Sequence, residues 1–364
     1  MGPLETAIEA CEIYRKVAGS YIFSGCSVVV SGSMLAAPLL ARADPKYGMG
    51  IPRAIEWFKK ILTRTKETGS YAVAIWGMKL DKPVEIMDGY LVQPYAEAPD
   101  FPIKRRINGL TRKVGDGRVW YSTRFYDAPG AIMTRAVKDF PYRGCSDLPF
   151  KELRRLAGDT SDLLALLQAS ITGDPLVGAS WFSYEDDEFN FNDRENHLSW
   201  HVPEVEPIVR NHVNVTAESL AAVNAALKKL PDDCREKLSR SAHRYVLSLC
   251  RHQPIDRILD LAIAFEIMTG GGKGDNAPPS WKVSVRSAQL IGGTLERRQC
   301  IREALGSLYK LRNASSHGGS PQDARLKDIL ATCSSIYRRL VDSVLAPGAS
   351  LDWSAIELEP RTRE

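Results

Sequence analysis

The sequence predicts an α+β N-terminal domain followed by an all-α helical bundle. Three observations carry this expectation. Short apolar runs between turn residues mark the first 150 residues, an acidic stretch follows residue 180, and from about residue 211 the chain repeats at helical spacing. The expected organisation is an N-terminal domain over 1–180, an acidic connection over 181–210, a helical domain over 211–346 and a polar tail over 347–364. A chain of 364 residues is long enough to bury two such cores.

The elements follow in order. The uncharged run from Tyr21 ends at Ala41-Arg42-Ala43, which mimics a signal-peptidase site. Glu5, Glu9 and Glu12 precede it, where a signal peptide needs a basic, acid-poor start, and its serines and glycines dilute it as a membrane span. It is therefore expected as buried core, a strand at Ser27–Ser31 and then a helix. Ile51, Ile55, Phe58 and Leu62 space a helix over Ile51–Thr68. Tyr71–Trp76, Val84–Met87 and Tyr90–Val92 read as strands, "VGDGRVWYSTRFYD" as a turn feeding another, and Leu148–Thr172 as helix. Residues 181–206 hold eight acids against one arginine and read as a solvated loop packed by Trp181, Phe182 and Trp200. Helices are then expected over Leu220–Leu230, Asp232–Cys250, Ile255–Met268, Val283–Ile291, Glu296–Arg312 and Gln322–Leu345.

Seven cysteines without CxxC or Cys/His ligand spacing argue against a disulfide framework and a structural zinc site, and fit a reducing cytoplasm. No cofactor is called for. "TGGGKGDN" (Thr269–Asn276) lacks the spacing and the Ser or Thr of a phosphate loop, and a helix precedes it where a strand is needed. Lys104, Arg105, Arg106, Arg112, Lys113 and Arg118 form a basic run that reads as a solvated hairpin face, the alternative being an auxiliary phosphate contact. His197, His201 and His212 have no defined third ligand, so no metal site is assigned. His243 and His252 read as surface or satisfied core residues.

"LYKLRNASSHGGSP" (Leu308–Pro321) is different. Arg followed within a few residues by His is a loose pattern, and Arg194 with His201 satisfies it too. Arg194, however, is followed by an acid inside the acidic stretch. Arg312 is followed by Asn313 within Trp281–Leu345, a span of eleven bases and five acids, net +6. Ile301, Leu305, Leu308 and Arg312 share one helical face, so Arg312 should emerge at the edge of the buried stripe. Asn313 and His317 are spaced as neighbours should the helix reach that far. The bland account is a C-terminal cap, His317 on the last carbonyls and Gly318 as the left-handed stop. The same carbonyls favour an imidazolium at His317.

"RQCIREALGSLYKLRNASSHGG" resembles the signature helix of HEPN domains. "RILDLAIAFEIMTGGG" (Arg257–Gly272) is similar to the Glu-bearing helix of the Apea-like branch, and Val283–Leu305 to its next segment. The resemblance covers Arg257 to Gly319, and nothing before about residue 200. It implies a HEPN-type helical bundle that commonly dimerises, and a metal-independent endoribonuclease, often a toxin or antiphage defence effector. It further implies Arg312, Asn313 and His317 as the catalytic set, with Glu266 and Arg286 in support. Glu266 shares a face with Leu259 and Ile263, so it should be partly buried and need a cation, Arg312 or Arg286. Its role is either part of the site or a structural ion pair. The expected partners are RNA, a second copy of the chain, and a trigger at the N-terminal domain, with no membrane. The alternative is a catalytically silent HEPN-like module for RNA binding or dimerisation.

Overall fold

The computed structural model describes residues 2–24, 27–46, 48–99, 104, 128–144, 147–170, 176–191, 213–251, 253–270, 276–316, 326–346 and 351–358. The chain opens with helices α1 (Gly2–Ala10) and α2 (Glu12–Arg15), then strands β1 (Tyr21–Phe23) and β2 (Ser27–Val29) and helix α3 (Gly32–Ala43). The strand and helix expected inside the uncharged run are both present. Ser31 caps α3 by accepting from the Met34 amide at 3.2 Å. Among the described residues no helix is long and apolar enough to cross a membrane.

Helix α4 (Ile51–Thr63) is shorter than expected, and its buried row is Ala54, Trp57, Phe58, Ile61 and Leu62. Ile51 and Ile55 face outward. The helix stops because the chain is claimed by a sheet: the Thr65 carbonyl accepts from the amides of Tyr142 at 2.9 Å and Arg143 at 3.1 Å. Strands β3 (Lys66–Trp76), β4 (Met78–Leu80), β5 (Val84–Ile86), β6 (Tyr90–Pro94), β7 (Ala131–Pro141), β8 (Arg143–Gly144) and β9 (Leu176–Tyr184) follow. Five of them form an antiparallel sheet ordered β5-β6-β7-β3-β9. Interior strand β3 buries both faces, with Tyr71, Val73 and Ile75 in the core and Ala72 and Ala74 on the other side. Phe140 and Phe182, from the strands flanking β3, stack at 3.8 Å across it. A Cβ on Gly69 would lie 2.3 Å from the Phe182 ring, so only glycine fits there.

The acidic connection expected from residue 181 begins instead as sheet, with Trp181 and Phe182 buried in β9. Asp186 and Glu188 are half-buried and not free in solvent; both pair with Lys60 of α4, and the Glu188 carbonyl accepts from Trp57 Nε1 at 3.0 Å. The "VGDGRVWYSTRFYD" strand, Trp200, the basic run after Lys104 and His197, His201 and His212 lie outside the described residues.

Helix α5 (Asp147–Ser170) joins the two halves. Leu156, Leu163, Leu164 and Leu167 belong to the sheet-based core, while Ala165, Leu166 and Ala169 belong to a second, helical core. Strand β10 (Val213–Val215) pairs in parallel with β4, and helices α6 (Ala217–Lys229), α7 (Asp232–Cys250) and α8 (Pro254–Thr269) follow. A π-helical turn over Lys282–Arg286 runs into α9 (Ser287–Ile291), then α10 (Leu295–Ser316), α11 (Leu326–Leu345) and α12 (Trp353–Leu358). The expected architecture of a sheet-rich N-terminal part and a helical C-terminal part is therefore present. At the centre of the helical core Tyr245 and Tyr337 stack at 4.4 Å, and Ser241 Oγ bridges the Tyr337 hydroxyl and the Ala264 carbonyl. The tail expected to be polar is partly core: Trp353 and Ile356 of α12 are buried against it.

Candidate active site

The site is built where the C-terminal ends of α8 and α10 meet. Helix α8 starts on Pro254, whose missing amide costs nothing in a first turn. It buries Ile258, Leu261, Ala262, Phe265 and Met268, which leaves Leu259, Ile263 and Glu266 half-buried on the flank. Its C-terminal carbonyls are met by cations. Arg286 Nη1 donates to the Thr269 carbonyl at 2.7 Å, and Lys237 Nζ to that of Gly270 at 3.0 Å.

Helix α10 is capped by Thr294, whose Oγ1 accepts from the Arg297 amide at 3.3 Å. Ile301, Leu305 and Leu308 are buried as the stripe requires, and Arg312 continues it with 34% of its side chain exposed. Burial pushes the Cys333 thiol up to about 12, so this neighbour of α10 packs and is not a nucleophile.

These helices bring Glu266 and Arg312 together. Arg312 Nη2 lies 3.6 Å from Glu266 Oε1, an ion pair beyond hydrogen-bonding range. Of the two cations expected at this carboxylate, Arg312 takes the place. The same oxygen accepts a 2.6 Å hydrogen bond from the Tyr309 hydroxyl. Burial first, then the bond to Glu266 and its charge, hold the Tyr309 phenol far above its ordinary range, with Arg312 opposing. Tyr309 is thus a donor at any physiological pH, and it fixes the carboxylate that faces the guanidinium. Arg312 Nη1 in turn sits 3.4 Å from the Asn313 side-chain oxygen, and Asn313 is exposed.

Arg286 is placed differently. It is almost wholly buried, donates through Nε to Glu357 at 2.6 Å, and lies under the Trp353 ring. It ties α12 to the end of α8, three residues beyond Glu266, so its contribution is to hold the helix that carries the carboxylate. His317 and the loop residues 271–275 lie outside the described residues; α10 is described to Ser316, the residue before His317. His243 pairs with Asp162 at 2.6 Å, linking α7 to α5 as a structural contact. Among the described residues no group of three His, Cys, Asp or Glu side chains is arranged to hold a metal ion.

Tyr309 was not among the residues singled out in the sequence. It lies three positions before Arg312, on the buried flank of the same helix, and that spacing was the available signal.

No family model, curated protein or solved structure matches this chain. The chemistry of the site therefore rests on its own residues.

Proposed function

We propose that the chain is a metal-independent endoribonuclease of HEPN type, acting in the cytoplasm as a toxin or antiphage effector. The observation that carries this reading is the Tyr309–Glu266–Arg312 cluster, which holds a guanidinium in the last described turns of α10, five residues before His317 in the chain. Cleavage of RNA without metal uses the 2′-hydroxyl as internal nucleophile. His317 moves the proton as general base or acid. The Arg312 fork carries the charge that develops on the non-bridging phosphate oxygens. Asn313 orients the phosphate or the imidazole. One histidine per chain is too few for both proton transfers, and a twofold dimer supplies the second. The products are a 2′,3′-cyclic phosphate and a 5′-hydroxyl. The N-terminal sheet domain then serves to sense a trigger or recruit a partner.

The test is inducible expression of wild type, His317→Ala and Arg312→Ala, with sequencing of RNA ends. Wild type gives growth arrest and new 5′-hydroxyl ends, and both variants abolish them while remaining folded and dimeric. Purified wild type cleaves RNA in EDTA and spares all-DNA substrate; activity lost with EDTA overturns the mechanism. RNA binding with no cut in any cellular RNA would leave the silent binding module as the correct reading.

A further inference from the structure

The basic excess of the C-terminal helices is not exhausted at Arg312. Cys333 Sγ of α11 meets the Ala304 carbonyl of α10 at 3.6 Å, and the short link between these helices makes them antiparallel. Two turns back along α10 from Ala304 is Arg297, and two turns forward along α11 from Cys333 is the Arg339–Leu340 position. The register thus sets Arg297 beside Arg339. Burial first, and then the charge of Arg297, lowers the Arg339 pKa.

The Arg339 guanidinium is short of a partner. Arg339 is half-buried, and its Nη2 is buried with no hydrogen-bond partner among the described residues. The stem of Arg297 lies across Gly293, where a Cβ would sit 2.9 Å from its Cδ and where φ is +96°, so glycine is required beneath it. The nearby acids are committed elsewhere. Hydrogen bonds from its own amide and from Thr294 occupy Glu296, and the charge of Arg338 attracts Asp342. Two adjacent cations with a buried unsatisfied donor repel each other until an anion lies between them.

We propose that Arg297 and Arg339 form a second anion site, which takes a phosphate group of an RNA strand running along α10. The proposal rests on the ribonuclease reading for the strand's other contact. Arg297 and Arg312 project from one side of α10, about 60° apart around the helix and about 22 Å apart along it at its regular rise. A single strand held at both ends spans several nucleotides, so the pair sets a minimum substrate length. Paired guanidinium forks suit a phosphodiester, with two oxygens to share, better than a single carboxylate of an acidic peptide.

The test uses the full chain and non-cleavable 2′-O-methyl RNAs, a trimer and a dodecamer, titrated by fluorescence anisotropy at several salt concentrations. Arg297→Gln/Arg339→Gln weakens the dodecamer roughly tenfold and lowers its log–log salt slope by about one unit, leaving the trimer unchanged. Unchanged dodecamer binding, or equal losses on both lengths, overturns the proposal. Arg297→Gln alone, at an exposed position, gives the same direction of change should the double variant fold poorly. Stabilisation of wild type by inorganic pyrophosphate, lost in the double variant and accompanied by no RNA binding, overturns the RNA assignment in favour of a small phosphate ligand. Preferential binding of a polyglutamate peptide overturns it in favour of an acidic protein. Failure of the ribonuclease reading is seen separately, as intact unmodified RNA with the dodecamer still bound.

Discussion

Tyr309 donates to the carboxylate that faces Arg312, so in the proposed reaction it acts only through the orientation of another side chain. Tyr309→Phe removes one charge-assisted hydrogen bond and keeps the ring packed. We expect kcat for RNA cleavage to fall about tenfold with KM nearly unchanged, at a stability cost of about 2 kcal/mol. Steady-state kinetics and urea unfolding check this, and a variant with unchanged kcat reduces Tyr309 to a packing residue. Arg312 at the edge of the apolar stripe was legible because position on a helical face is a matter of periodicity. The hydrogen bond from Tyr309 was not, because its acceptor is 43 positions away and no local pattern links them.

Arg286 acts at the level of elements, joining the end of α8 to α12 through Thr269 and Glu357. Arg286→Met leaves a half-buried carboxylate partner and a helix-terminal carbonyl unmet. The expected loss is about 3 kcal/mol, with early proteolysis of the chain after residue 346. Denaturant titration and mass mapping of the fragments test it, and wild-type protection of the tail in the variant would show that α12 is held by Trp353 and Ile356 alone. The tail looked polar in sequence because Trp353 and Ile356 are two apolar residues in a charged setting. Helix α4 shows the related difficulty of boundaries. Its helical pattern continues past Thr63, but Tyr142 and Arg143 claim the Thr65 carbonyl for the sheet. Non-local hydrogen bonding wins there over local propensity.

Across the whole molecule, five tyrosines among the described residues, Tyr71, Tyr142, Tyr184, Tyr309 and Tyr337, hold their protons more tightly in the fold than in the open chain, chiefly through burial. Below about pH 10 both states keep these protons and the contribution to stability is whole. Above it the unfolded chain ionises while the folded tyrosines do not, so stability falls as pH rises. Thermal unfolding followed from neutral to strongly alkaline pH should show this decline, shallower in Tyr309→Phe. A midpoint independent of pH would mean that these phenols are not sequestered.

Sequence by itself determined the order of classes, sheet-rich then helical, because periods of about two and about 3.6 residues are local properties of the chain. It also determined the stripe that ends in Arg312 and the need of Glu266 for a cation, because a half-buried carboxylate requires one. The tertiary structure alone decided which cation that is, which carboxylate oxygen Tyr309 holds, and that Arg286 serves the end of α8. It also decided that α5 belongs to two cores at once. These are pairings between residues far apart in the chain, and their geometry exists only once the helices have packed.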